Sequence, residues 1–370
     1  MSKETLIADV TVFDGTGFVP GVSVLFDDEK IIGVGADLDA GPDCRVIDGV
    51  GKTLLPGLID AHVHTPSIPT FAEGVLRKAV VFGVTTVIDL GAEPSVVTAM
   101  KAKAAVSSEV AGLVSAGVVA TAPGGHPLEL GGELPTLSRP EEAASFVAAR
   151  VAEGSDFLKI VLEDGTTYGI ESPTLDYPVV EALTKAAHEA GLLVVAHAAG
   201  QDFARWAIQA GVDVLAHAVV DEAPAADVVS ALASSGTAVM STLTVFEAAE
   251  RHRLWRDPRV AAYLEPAYLE RLGEYVAPEH RPNTQIEFGL RAIRAYHGAG
   301  VSILAAATSR PADVFSLHDR GRIAAGLRPD LVLVDGDVEQ DISRTLDVRH
   351  VWRHGVEVKR VRNESDLQDG

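Results

Sequence analysis

Apolar positions along this chain follow two different rhythms. Between about residues 56 and 319 they come in short dense runs, several of them preceded by an alanine-rich amphipathic stretch and a glycine. The pattern recurs in "AVVFGVTTVIDL", "AAHEAGLLVVAHA", "AIQAGVDVLAHA", "ALASSGTAVMSTLT" and "AYHGAGVSILA". Gly83, Gly191, Gly211, Gly236 and Gly300 stand where a helix ends, a position that demands the left-handed conformation glycine adopts without strain. The runs that follow are too apolar to leave one face in water, so they predict parallel strands buried on both faces. Adding "GLIDAHVH", "AGLVSAG" and "DFLKIVL" brings the strand candidates to eight. Eight strand–helix units over this length predict an α/β fold of the (β/α)8 TIM-barrel type, with a doubly wound open sheet as the alternative.

The second rhythm belongs to the chain ends. Residues 1–55 and 320–370 alternate apolar and polar positions between turn signals, as in "VTVFDGTGFVPGVSVLFDD" and "HVWRHGVEV". Such alternation predicts short antiparallel strands, and the two ends are expected to join as one small β-sandwich domain. The barrel domain then spans 56–319. Within it, residues 246–299 read as a helical cap over the barrel mouth, and Trp255, Tyr263, Tyr268 and Tyr275 suggest a substrate with apolar bulk.

Composition narrows the function classes. Hydrophobic residues make up 47% of the 370 residues, enough for a large core. The net charge of −21 argues against nucleic acid or an anionic membrane as the partner, because both need a basic face. Cys44 is the single cysteine, which excludes an intramolecular disulfide and fits a reducing compartment. The opening "MSKETLIADVTVFDG" has no long apolar stretch behind a basic start, and no run reaches the roughly 20 apolar residues of a membrane span. A soluble cytoplasmic protein acting on a small molecule is the expectation.

On the predicted scaffold the histidines sort themselves. His62 and His64 end the first barrel strand, His197 the fifth and His217 the sixth. These are C-terminal strand ends, the face on which barrel enzymes build their sites. Residues i and i+2 of a strand share a side, so His62 and His64 can serve one metal ion. Lys159 lies inside the fourth strand among apolar neighbours, where an unpaired ammonium is costly. Its carbamate, formed with carbon dioxide, has two oxygens that can bridge two divalent cations. Taken singly, a strand-end histidine is more often a hydrogen-bonded core residue, and a core lysine can extend to the edge; the five together are harder to explain that way. His188, His252, His280, His297, His318, His350 and His354 read as surface or structural residues.

"PGLIDAHVH", the strand-4 lysine and the histidines ending strands 5 and 6 resemble the amidohydrolase superfamily, in particular its imidazolonepropionase-like and prolidase-like branch. "TSRPADVFSLHDRGRIAAGLRPDLVLVDGD" resembles the return of that family's last barrel helix to the small β-domain. The resemblance implies two divalent ions, usually zinc. His62 and His64 would hold one and His197 and His217 the other, with carboxylated Lys159 bridging them. It further implies a metal-activated hydroxide that attacks an amide carbonyl. "ATAPGGHP" resembles a substrate-contacting loop after strand 3, which makes His126 a substrate-binding candidate, equally readable as a loop histidine fixed by its two glycines. Tyr168, in "EDGTTYG", is a second candidate, with an exposed loop tyrosine as the plainer reading. Relatives in this family often form oligomers, so a homo-oligomer is compatible, though no stretch names an interface.

One departure stands out. The family pattern needs an aspartate at the end of strand 8, as metal ligand and proton acceptor. Here "GVSILA" runs directly into "AATSRPADVF" around Ala305–Ala306, and the expected catalytic aspartate is absent. A natural deletion, an engineered one, or a longer parent chain each accounts for this. Asp313 reads as a surface residue and Asp89 as a buried support, neither as a replacement. The expected function is therefore a metal-dependent hydrolase of an amide bond in a dipeptide, an N-acyl amino acid or a cyclic amide. The alternatives are an impaired or repurposed small-molecule or metal-binding scaffold, and a deaminase, which the bridging lysine disfavours.

Overall fold

The computed structural model describes residues 4–128, 133–246, 254–274, 284–304 and 307–362, excepting the side chains of 168, 245, 271–274 and 284. The strands are β1 (Thr5–Phe13), β2 (Phe18–Phe26), β3 (Ile31–Gly35), β4 (Arg45–Asp48), β5 (Lys52–Pro56), β6 (Leu58–Val63), β7 (Val84–Asp89) and β8 (Gly112–Ser115). They continue with β9 (Phe157–Val161), β10 (Leu193–His197), β11 (Val214–Leu215), β12 (Ala238–Val239), β13 (Leu331–Asp335), β14 (Val348–Arg353) and β15 (Val356–Glu357). The helices between the parallel strands are α1 (Pro69–Val81), α2 (Pro94–Val106), α3 (Ala143–Ala152), α4 (Tyr177–Glu189), α5 (Gln201–Gln209) and α6 (Ala226–Ser235). Short α7 (Leu243–Phe246), α8 (Pro258–Ala261), α9 (Pro266–Glu274), the longer α10 (Thr284–Gly298) and α11 (Ser309–Val314) follow β12.

Two parallel sheets carry the middle of this α/β fold, β6-β7-β8 and β9-β10-β11-β12. They meet where Ala120 N–H donates to the Lys159 carbonyl at 2.8 Å and Val161 N–H donates back to Ala120 at 2.9 Å. Along the second sheet the side chains alternate between two cores. Leu158, Ile160, Val194, Ala196 and Leu215 pack with helix residues such as Leu183 and Leu232. Phe157, Val195, Val214 and Ala238 face a separate cluster with Ile59 and Ile88. That double burial is why the sequence runs were continuous rather than alternating.

Gly83, Gly191, Gly211, Gly236 and Gly300 all have positive φ, between +74° and +86°, as the helix-to-strand junctions required. The eighth strand candidate is much reduced. Among the described residues it contributes one bridge, Ile303 to Val239, and Ile59 N–H donates to Ala307 at 2.7 Å beyond it. The Ala305–Ala306 junction itself lies outside the described residues.

The two chain ends share one sheet of order β15-β14-β13-β5-β1-β2-β3, with β4 on β1. β5 is the pivot, antiparallel to β13 and continuing through Gly57 into β6. Among the described residues these strands form a single hydrogen-bonded sheet; folding into the two layers of a sandwich is not part of that pairing. Tyr263 and Tyr268 pack on the last turn of α1, with Tyr263 against Phe82 and Arg360 and Tyr268 under Lys78. These two rings are thus engaged on the outside of the parallel sheets, not on a substrate pocket; Tyr275 lies outside the described residues. No described helix is long and apolar enough to cross a membrane.

Candidate functional site

The C-terminal ends of β6, β9, β10 and β11 bring His62, His64, Lys159, His197 and His217 into one cluster. Ring centroids lie 5.4 Å apart for His62–His64, 5.0 Å for His62–His217 and 4.4 Å for His197–His217. Lys159 is 2% exposed and its Nζ has no hydrogen-bond partner among the described residues. Burial pulls its pKa down to about 7, offset in part by the Asp89 carboxylate. Burial likewise holds His62, His197 and His217 well below the ordinary histidine value and takes His64 to about 4, with the lysine charge adding to the effect on all four. The imidazoles are therefore neutral at pH 7, each keeping a lone pair.

Protein acceptors decide where those lone pairs point. His62 Nδ1 is 3.2 Å from the Ala216 carbonyl, which can only accept, so Nδ1 carries the proton. Thr242 donates its hydroxyl to the same carbonyl at 3.3 Å, so it accepts from His217 Nδ1–H at 2.7 Å. His64 donates to the Gly91 carbonyl. His217 Nε2 and His197 Nδ1 face each other at 3.1 Å. Two nitrogens on one tetrahedral zinc at ~2.05 Å would be about 3.3 Å apart, so this spacing also suits a shared ion.

Among the described residues no three His, Cys, Asp or Glu side chains surround a single point. The histidines form two pairs, and Lys159 is the group charged toward both. The donor set therefore fits two divalent ions if the lysine becomes an anionic bridge. The orphaned Nζ is the observation that favours this, because a buried unpaired amine is otherwise a plain cost.

Asp89 supports the cluster from behind. One carboxylate oxygen accepts Thr65 N–H at 2.7 Å, directly after His64, and the other accepts the Ser115 hydroxyl at 2.6 Å. Asp313 lies elsewhere. It is exposed, paired with Arg322, and lines a cavity with Asp213, Thr237 and Ser302 at the opposite strand ends. Its carboxylate is therefore away from the histidine cluster. Next to His62, between β6 and the Met240–Thr242 segment, is a cavity of about 350 Å³ also lined by Asp60, Leu304 and Ala307.

His126 sits over the cluster with its ring 5.3 Å from that of His197, and its carbonyl accepts the Thr121 hydroxyl at 2.6 Å. The Tyr168 side chain lies outside the described residues. Sequence reasoning missed Thr242 and Glu163. Glu163 is 1% exposed, in the turn just after β9, with Oε2 3.5 Å from His197 Nε2. Both lie just past a strand, where an acid or a threonine is common, so the sequence carried no distinguishing signal for them.

The fold is shared with solved proteins over nearly the whole chain. A prolidase complexed with N-methylphosphonate-L-proline superposes with a TM-score of 0.77 at 21% identity, covering 97% of this chain and 100% of that one. A Xaa-Pro dipeptidase with methionine bound in its active site gives 0.76 at 21%, covering 96% and 100%. An adenine deaminase from Paracoccus denitrificans is 35% identical over 71 residues, 19% of this chain. The chain spans only 12% of that deaminase's length. A family model described as the amidohydrolase family matches residues 53–287, well over half of the chain and every histidine and lysine of the cluster. This chain belongs to the amidohydrolase family.

Proposed function

We propose that the chain is a metal-dependent hydrolase of an amide C–N bond in a small molecule such as a dipeptide, an N-acyl amino acid or a cyclic amide. The observation that carries this reading is the buried Lys159 amine, without a hydrogen-bond partner among the described residues, amid four neutral histidines. With a pKa near 7, that amine is substantially neutral under physiological conditions. It can add to carbon dioxide, forming an N–C bond and releasing one proton, to give a carbamate that would be an anionic ligand for the ions. Divalent ions, zinc by family resemblance, would lower the pKa of water and polarise the substrate carbonyl. His62 and His64 would hold one ion, His197 and His217 the other. His126, whose ring is 5.3 Å from that of His197, would contact a substrate carboxylate or carbonyl. Water adds to the carbonyl carbon, the C–N bond breaks, and the water proton leaves on the amine.

The same reading takes the two parallel sheets as parts of one (β/α)8 barrel with a shortened last unit, supported by the Ala120–Ile160 and Val239–Ile303 bridges. A catalytically impaired scaffold is the second reading, favoured by the missing strand-8 aspartate; loss of a general base typically costs ~10²–10⁴-fold in rate. The test is turnover of a panel of Xaa-Pro dipeptides, N-acyl amino acids and lactams by zinc-loaded protein. Turnover abolished by a chelator supports the hydrolase. Chelator-insensitive turnover removes the metal mechanism, and metal-loaded protein that binds panel members without turning them over favours the impaired scaffold.

A further inference from the structure

Protein acceptors direct three rings of the histidine cluster. His62, His64 and His217 each place one ring N–H on a protein acceptor: the Ala216 carbonyl, the Gly91 carbonyl and the Thr242 hydroxyl. Their second nitrogens are thereby turned toward the cluster as lone pairs. His197 faces His217 through Nδ1, and its Nε2 faces the Glu163 carboxylate at 3.5 Å. Glu163 is held for this position. Its Oε1 accepts Gly165 N–H at 2.7 Å, which pins the turn after β9, while Oε2 is buried and has no hydrogen-bond partner.

We propose that Glu163 is the positioning residue for His197. Its Oε2 takes the Nε2–H of the ring and so presents Nδ1 as a lone pair beside His217 Nε2. This rests on the metal-dependent reading above and adds a residue that reading does not contain. The physical case is one of complementarity. A carboxylate buried to 1% exposure with one oxygen left open is expensive, and an N–H donor at that oxygen offsets the cost. A carboxylate behind a ligating imidazole also raises its basicity, and such partners typically change metal affinity ~10–100-fold. A carboxylate behind His197 would thereby raise the donor strength of the His197–His217 pair.

The experiment compares wild type, Glu163→Gln and Glu163→Asp by competitive zinc titration against a chromophoric chelator and by elemental analysis after dialysis. Circular dichroism and thermal melting of the metal-free proteins run in parallel. Gln keeps the Oε1-type acceptor for Gly165 N–H but removes the charge. Asp keeps the charge on a shorter arm. The expected result is wild type with two zinc equivalents and E163Q with its weaker site loosened at least about tenfold, at unchanged metal-free melting. E163D should recover part of the difference. Equal affinities in wild type and a folded E163Q would overturn the role of Glu163 and leave the metal reading intact. Should E163Q not fold, E163D decides: affinity lowered by an intermediate amount supports the role, and wild-type affinity together with unaltered cobalt(II) absorption in the substituted protein overturns it. Wild type that takes up no zinc would overturn both, and is distinguished by the wild-type titration alone.

Discussion

Lys159 concentrates the energetics of the site in one side chain. Its amine is buried, has no hydrogen-bond partner among the described residues, and is held near pKa 7 chiefly by desolvation. Replacing it with methionine removes the unsatisfied group while roughly keeping its volume. Metal-free Lys159→Met should therefore be more stable than wild type by about 1–3 kcal/mol, read from urea denaturation, yet bind fewer than two zinc ions. A destabilised variant would show that the lysine has a partner that matters. Asp89 predicts the opposite sign. Asp89→Ala strips the acceptor from Thr65 N–H and from the Ser115 hydroxyl, both buried, and should cost about 2 kcal/mol or more. At this scale the sequence was legible where chemistry forces residue type: two histidines two apart on an apolar strand, and a lysine among branched aliphatics. Glu163 and Thr242 were not legible, because an acid or a threonine just past a strand is common in loops, and only the folded turn aims them at imidazoles.

The helix-to-strand junctions show what one element asks of one residue. Gly83 and Gly191 have similar left-handed backbones, φ +86° and +74°. A Cβ on Gly83 would meet the Val332 side chain at 2.9 Å, whereas on Gly191 it would meet nothing within 4 Å. Gly191→Ala should cost about 1 kcal/mol from backbone strain, and Gly83→Ala about 1–3 kcal/mol because a packed valine must also move. Equal costs measured by denaturant midpoint would contradict this account of the α1–β7 junction. The strands themselves were readable from continuous apolar runs because both faces are buried. The eighth was misjudged in extent, because "GVSILA" has the apolar pattern of a strand but only Ile303 pairs among the described residues. The aromatic-bearing segment after β12 was only partly legible. Its amphipathic pattern told that rings would be buried, and could not tell that Tyr263 and Tyr268 would pack on Phe82, Lys78 and Arg360.

The whole molecule links the site to stability through protons. The four cluster histidines have pKa values below the ordinary one in the folded state, His64 near 4. For a base with a depressed folded pKa, stability is full above the unfolded value of ~6.5 and falls as pH drops below it, because the unfolded chain then binds protons that the folded chain does not. Metal-free protein should thus lose stability progressively from pH 7 to pH 5, and bound zinc should delay the loss by occupying the lone pairs. A flat melting temperature across that range would contradict the buried, neutral histidine cluster. Joining of the two chain ends into one sheet was legible from alternation at both termini, since short antiparallel strands with one apolar face must find a common partner surface.

The central claim is that four histidines and one lysine form a centre for two divalent ions. It is tested most directly by equilibrium dialysis of the metal-free protein against zinc and bicarbonate, followed by elemental analysis, beside Lys159→Ala. The account predicts about two zinc ions per wild-type chain and loss of the two-ion site in the variant. Wild type that retains no zinc, or a variant that still holds two ions, would contradict it.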